Sequence, residues 1–450
     1  MSTQDTIAAI ASAPGKGGIG IVRISGPAVP MIMQRLFAEQ LKPRFAEYKP
    51  FLDTHGQIID RGIVIYFVAP HSYTGEDVLE LQGHGGPVVL NLLLKQILAY
   101  GVRQARPGEF TERAFLNEKL DLIQAEAVID LIESSSEQAA KAAAQSLEGV
   151  FSEVLRALLQ KLIELRMYIE AALDFPEEEI DFLSDNEIQL RMDGLVKALD
   201  AIRQRVKQGR LLKDGMSVVI LGQPNAGKSS LLNQLAGRDT AIVTEIAGTT
   251  RDVLREHIHI DGIPLHIIDT AGLRDTQDVV EKEGVRRAWL AANQADRILL
   301  LVDARTGISE YETTVLQQIP PHLPVDIIYN KIDLLSSPVD LAVISHARGA
   351  VILLSAKTGT GLENLIEHLK QSIGIEQTSE SLFSARQRHV DALNVVNERV
   401  ANAQECLNLG QGELAAEELR MAQLVMSSIT GEFSSDDLLG EIFSRFCIGK

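Results

Sequence analysis

Cysteine is almost absent: Cys406 and Cys447 are the only two in 450 residues. Two thiols cannot make a disulfide framework or a four-thiolate zinc site, and this usage fits a reducing cytosol, so a cytoplasmic location is expected. Long apolar runs are also missing. No stretch approaches the roughly 18 unbroken apolar residues of a membrane-crossing helix. The opening MSTQDTIAAIASAPGKGGIG has no basic region ahead of an apolar run, so no signal peptide is expected. Basic residues are in deficit, 43 against 61 acidic, giving a net charge of −18. That excludes a generally adhesive nucleic-acid binder; any such contact must use a local basic patch or a partner's surface. Residues 1–118 are neutral overall, and 119–210, 211–375 and 376–450 carry −7, −5 and −6. No internal repeat or low-complexity tract stands out.

The composition that remains is globular, 45% apolar and 23% charged. The length suggests about three domains. Residues 1–118 read as mixed α and β, with strand-like runs TIAAIA, GIVRIS, GIVIYFVA and VLELQG and a helical PVVLNLLLKQILAYG. Residues 119–214 turn helical, and the run from Asp121 to Phe175 reads as one long amphipathic stretch, broken by Pro176. Residues 376–450 return to helical composition. Strands alternate with helices between these blocks, over 215–375. The expected fold is therefore multidomain, α and α/β: a nucleotide-binding domain with a mostly parallel sheet, inserted into a helical domain that follows an α+β N-terminal domain.

The strongest signal is the apolar strand MSVVIL, then GQPNAGKS, then the helical SLLNQLAG. This is G-x-x-x-x-G-K-[ST] in the strand–loop–helix setting that a phosphate loop requires. Backbone N–H groups around Gly222–Ser230 would cradle phosphate, Lys228 would reach the β- and γ-phosphates, and the Ser229 hydroxyl would bind Mg²⁺. Further along, HIHIDGIPLHIIDTAG reads as a hairpin turning at Asp261–Gly262, then a strand ending at Asp269. Asp269-Thr270-Ala271-Gly272 would hold Mg²⁺ through water and sense the γ-phosphate. Asn330-Lys331-Ile332-Asp333 ends another strand; Asp333 can accept from guanine N1–H and the 2-amino group, neither of which adenine offers. Ser355-Ala356-Lys357 suits the guanine O6 edge through backbone N–H. Thr244-Glu245-Ile246-Ala247-Gly248-Thr249-Thr250 lies where a γ-phosphate sensor belongs, with Thr250 as second Mg²⁺ hydroxyl. All these groups fall at carboxyl ends of apolar strands. Leu273 stands where many GTPases carry a water-orienting glutamine. Asn225 could hold a monovalent cation between the phosphates. Spacing alone leaves Glu281 open, between an exposed loop glutamate and a water-orienting group.

Together GQPNAGKSSLLNQLAG, TEIAGTTRDVLREHIHIDGIPLHIIDTAGLR, NKID, SAK, GKGGIGIVRISG, TGEDVLELQGHGG, RPGEFTERAFLNEKLDLIQAEAVIDLI and FCIGK resemble the tRNA uridine modification GTPases of the MnmE (TrmE) type, nearly end to end. The resemblance implies addition of an aminomethyl or carboxymethylaminomethyl group to C5 of the wobble uridine of certain tRNAs. It implies a homodimer and an FAD- and NADH-using partner protein, with no membrane role. The one-carbon unit would come from a tetrahydrofolate, 5,10-methylene- or 5-formyl-, bound by residues 1–118. Potassium would activate GTP hydrolysis as two GTPase domains pair. Carried over by position, Asn225, Thr244, Ile246 and Thr249 would surround K⁺, Ser229 and Thr250 would bind Mg²⁺, and Glu281 would place the hydrolytic water. Arg23, Glu80, Lys119 and Lys450 would bind folate, and Cys447 is a candidate reactive thiol. A different class stays open: a GTP-switched binding protein of ribosome assembly with no one-carbon chemistry.

Two other patterns carry less. Gly15, Gly17 and Gly20 fit G-x-G-x-x-G, but a strand-like run follows where a dinucleotide site needs a helix, so a glycine-rich loop is expected. The tail C-I-G-K has neither an aliphatic third residue nor an accepted last one for prenylation.

Overall fold

A computed structural model describes residues 5–174, 186–237, 255–260, 263–269, 295–336, 340–373, 382–432 and 436–449. By packing, the chain divides into two units. One comprises Met1–Ile129, Ser146–Val196 and Ala392–Lys450, the other Asp130–Gln145 and Lys197–Asp391.

The first unit is built on a six-stranded sheet. Its strands are β1 (Ile7–Ile10), β2 (Gly17–Ser25), β3 (Glu47–Leu52), β4 (Ile58–Phe67), β5 (Val78–Gly85) and β6 (Arg103–Gln104), in the order β3-β4-β5-β2-β1-β6. Only β1 and β6 run parallel. Strand alternation decides the two faces. Val22, Ile24, Leu79 and Leu81 are buried in one core with residues of α1 (Val29–Phe37) and α2 (Pro87–Leu98). Arg23 and Glu80 sit between those residues and so face the other way. On that other side Ile7 and Ala9 pack with Phe110 of α3 (Glu109–Leu116). The four strand-like runs of the sequence are strands here. The glycine pattern at 15–20 leads into β2, a strand and not a helix. Strand β3 is legible only in the structure: EYKPFL carries Pro50, which a sheet tolerates because β3 is its edge.

The expected single amphipathic stretch after Asp121 is three helices, and this corrects the sequence reading. They are α4 (Leu122–Glu133), α5 (Glu137–Leu147) and α6 (Val150–Asp174). Ser136 accepts the Ala139 N–H at the first break, and Gly149 takes φ +93° at the second. Side-chain periodicity continues across such breaks, so the pattern alone did not show them. The helix α7 (Asn186–Asp214) follows in the chain.

The second unit holds a seven-stranded sheet. The strands are β7 (Met216–Gly222), β8 (Arg255–Ile260), β9 (Ile263–Asp269), β10 (Arg297–Asp303), β11 (Val325–Asn330), β12 (Ile344–His346) and β13 (Gly349–Leu353). Their order is β12-β13-β11-β10-β7-β9-β8. The five central strands are parallel and the two edges antiparallel. Central strands such as RILLLVD are buried on both faces, as parallel sheets require. The helices here are α8 (Lys228–Ala236), α9 (Glu310–Gln318) and α10 (Leu362–Ile373). Chain order then gives α11 (Gln387–Asn408), α12 (Gly412–Thr430) and α13 (Asp436–Ser444). In the first unit α12 packs on α6, and Phe443 of α13 meets Phe115 of α3 at 6.3 Å between ring centroids. No described helix is long and apolar enough to cross a membrane.

The second sheet carries one buried charge cluster. Asp326 is wholly buried and accepts from Arg297 Nη1 at 2.7 Å, His368 Nε2 at 3.0 Å and the Ala350 N–H at 2.9 Å. Burial alone would raise its pKa. The His368 hydrogen bond and the Arg297 charge overcome that and hold it below the ordinary carboxylate range. A folded pKa below the unfolded value means stability present at neutral pH and lost as pH falls through the folded pKa. We expect Asp326→Asn to cost about 3 kcal/mol at pH 7 by leaving Arg297 unpaired. Thermal melts of both proteins should converge as pH falls below the ordinary aspartate range and through the lowered pKa of folded Asp326. A difference that does not change with pH would contradict the paired state.

Candidate functional site

Strand β7 delivers the chain into Gly222–Gly227, and α8 starts at Lys228. Gly227 takes φ +104°, and a Cβ there would lie 2.2 Å from Asn330 Nδ2, so only glycine lets the loop pass this close. Asn225 is exposed at φ +64°. Lys228 Nζ donates to the carbonyls of Gly222 at 2.8 Å and Gln223 at 3.0 Å. Ser229 and Ser230 lie in the first turn of α8, beside the positive end of its dipole, and both are exposed.

Asn330 binds the site together. Its side chain is buried; Nδ2 donates to Ala226 O in the phosphate loop at 2.7 Å. Its Oδ1 accepts from Lys331 N at 2.8 Å and from Ala356 N at 2.9 Å. Segments far apart in sequence are thus fixed by one amide. Lys331 takes φ +68° and its ammonium is 2.9 Å from Asp303. Hydrogen bonds from Arg305, then Lys331, hold the Asp303 carboxyl far below the usual range. Ile332 begins a single 3₁₀ turn to Leu334. Asp333 is exposed, with Oδ1 accepting the buried Ser355 hydroxyl at 2.6 Å. That bond leaves the other carboxylate oxygen for a ligand. Because Ala356 N–H is given to Asn330, the free backbone donor of Ser355–Lys357 is Lys357 N–H, which has no protein acceptor among the described residues.

The parallel order β13-β11-β10-β7-β9 brings the phosphate loop, Asn330–Asp333 and Ser355–Lys357 to the carboxyl edge of one sheet. Asp269 ends β9 on that same edge. Strands β8 and β9 pair antiparallel with Ile260 opposite Ile263, as the expected hairpin requires. Thr244, Glu245, Ile246, Ala247, Gly248, Thr249, Thr250, Thr270, Ala271, Gly272 and Glu281 lie outside the described residues, as does Lys450.

A second polar cluster lies in the first unit. Arg23 Nε donates to Glu80 Oε1 at 2.9 Å across the β2–β5 ladder. Its guanidinium stands 5.4 Å from the Tyr73 ring centroid and 5.7 Å from that of Phe110. The stem of Lys119 approaches Gly75. Sequence reasoning did not find Tyr73 or Phe110. Nor did it find the ion network beside them, in which buried Arg113 pairs with Asp5 at 2.7 Å, Glu76 at 3.1 Å and Glu109 at 3.1 Å. One signal was available: a charged residue alternating with apolar ones, V-R-I against L-E-L, marks a second working face of a sheet. The C-terminal tail reaches this unit's sheet. Ile448 bridges Pro107, and Cys447 O accepts from Gly108 N at 3.4 Å. Gly449 takes φ +102°, and a Cβ there would fall 2.1 Å from Ile10 O. Ile10 neighbours Ala9, the β1 partner of Arg23. The Cys447 thiol is free and exposed.

A phosphate loop opening a helix, with N-K-x-D and S-A-K ending adjacent strands of a parallel sheet, defines a P-loop guanine-nucleotide-binding protein. Family profiles described as "GTP-binding protein TrmE N-terminus" and "MnmE helical domain" match residues 6–119 and 122–447. Proteins called "tRNA modification GTPase MnmE" match over nearly the whole length of both chains. The one from Pseudomonas paraeruginosa is 58% identical over 100% of each chain, and that from Pseudomonas savastanoi pv. phaseolicola 57% identical over 99% of each. The Vibrio cholerae protein is 54% identical over 100% of each. The chain belongs to the MnmE family.

Proposed function

We infer that this chain is a tRNA modification GTPase. The observation that carries the reading is the Asn330 amide, which ties the phosphate loop to the base-recognition segments, with Asp333 turned outward beside it. The finer activity is the C5 aminomethyl or carboxymethylaminomethyl modification of wobble uridine. It would be carried out by a homodimer with an FAD- and NADH-dependent partner protein. Residues 1–118 would bind folate and dimerise, 215–375 would hydrolyse GTP, and 119–214 with 376–450 would form the helical domain.

Each cofactor can be weighed against the residues present. The Ser229 hydroxyl at the start of α8 suits Mg²⁺, and the exposed Asn225 carbonyl, on a left-handed backbone, suits K⁺. Bound there, these cations would offset charge developing on the transferred phosphoryl group. Lys228 would bind and orient the phosphates, while Gly227 lets the backbone approach them. For a tetrahydrofolate, Tyr73 and Phe110 offer ring faces, Glu80 an acceptor for the N–H groups of a pterin, and Arg23 a cation. The tail brings Cys447 to the same unit.

Two experiments test this. GTP turnover in K⁺ should exceed that in Na⁺ by about tenfold or more, as offsetting one charge at the transferred group allows; equal rates would remove Asn225 from a cation role. Calorimetry with a reduced folate should detect binding by the unsubstituted chain, weakened about a hundredfold by Arg23→Ala, since a charge-assisted contact is lost and Glu80 loses its cationic partner, keeping only the Gln82 amide. No binding by the unsubstituted chain would favour a GTP-switched binding protein without one-carbon chemistry.

A further inference from the structure

Gln223 fills a variable position of the phosphate-loop motif, and nothing in the motif gives it work. The structure does. Its Nε2 donates to Ser309 Oγ at 2.8 Å and to Glu312 Oε2 at 3.3 Å. Those two residues are the N-terminal capping box of α9: Tyr311 N donates to Ser309 Oγ at 3.2 Å, and Ser309 N donates to Glu312 Oε2 at 2.9 Å. The Ser309 hydroxyl also bonds Glu312 directly. Glu312 is buried, at 2% exposure. Burial favours its neutral form, but hydrogen bonds from Ser309 and Gln223 prevail and keep it ionised.

The other end of Gln223 is in the loop itself. Its carbonyl accepts from Lys228 Nζ at 3.0 Å and from Ala226 N at 3.2 Å. Pro224 follows and restricts the backbone of Gln223, which narrows the positions its carbonyl can take. We propose that Gln223 is a positioning residue: by anchoring the phosphate loop to the α9 capping box, it sets the carbonyl that holds the Lys228 ammonium, and so sets how long a bound nucleotide is retained. This rests on the nucleotide reading above and adds a part to it. The contact joins residues 86 and 89 apart in sequence. An ionised acceptor makes it stronger than an ordinary amide bond.

The test is the dissociation rate of mant-GDP from the full chain, followed by fluorescence. Gln223→Ala should release the nucleotide about 3- to 10-fold faster, a fraction of what a hydrogen bond to a charged acceptor is worth, because the loop keeps its other contacts. Gln223→Glu should be at least as fast, because it sets two carboxylates against each other. Pairing Gln223→Glu with Glu312→Gln restores an amide facing a carboxylate with the roles exchanged, and should return the rate to within about twofold of the unsubstituted chain. A purely structural role would not be rescued by that exchange. Gln223→Ala within about twofold of the unsubstituted chain, or a double variant no slower than Gln223→Glu, would overturn the proposal. Failure of the unsubstituted chain to bind mant-GDP would instead sink the nucleotide reading, and this inference with it.

Discussion

Asp333→Asn should weaken GTP binding by about 100- to 1,000-fold, the loss expected when two hydrogen bonds to a carboxylate are replaced by a donor facing donors. The fold should be unaffected, because the substituted side chain keeps an oxygen for the Ser355 hydroxyl that now reaches Asp333 at 2.6 Å. Xanthosine triphosphate carries an oxygen at C2 where guanosine carries an amine. The amide introduced by Asp333→Asn can donate to that oxygen, so the variant should gain relative preference for the xanthine nucleotide. Competition binding with the two triphosphates measures this. Unchanged preference for GTP would mean that Asp333 does not face the base edge.

Asn330→Ala should act on fold and site together. The substitution orphans Ala226 O, Lys331 N and Ala356 N, all now served by one buried side chain. At about 1–3 kcal/mol for each buried group left unpaired, and less for Lys331 N, which is only partly buried, a loss of at least about 3 kcal/mol is expected. Calorimetric melting of the nucleotide-free chain reads the change in stability, and mant-GDP affinity reads the site. Both should fall. A stable variant that keeps normal affinity would show that the three segments are held by something else.

The phosphate loop, N-K-I-D and S-A-K of the candidate nucleotide site were legible from sequence, because such a site needs particular residue types at strand ends in a fixed order. Hydropathy finds β7, β11 and β13 as apolar runs, with N-K-I-D at the end of β11 and S-A-K just after β13. The cross-braces were not legible. Gln223 to Glu312 and Asn330 to Ala226 are side-chain bonds across long sequence separations, which no local pattern encodes. The same holds for the tail, whose docking against Ile10 and Pro107 depends on the glycine at 449 having no side chain. In the first unit, Arg23 and Glu80 entered by family resemblance, whereas their pairing and the rings of Tyr73 and Phe110 came from strand register and the placement of α3. The helical breaks at Ser136 and Gly149 were missed because periodicity does not report a cap until its hydrogen bonds are seen.

If the carboxyl edge of the second sheet forms one pocket, it selects guanine over adenine through Asp333. Displacement of mant-GDP from the purified chain by unlabelled GDP and by ADP tests this most directly. GDP should displace the probe near stoichiometry, while ADP should require at least about a hundredfold more, since adenine offers Asp333 neither N–H group. Equal displacement by ADP would contradict it.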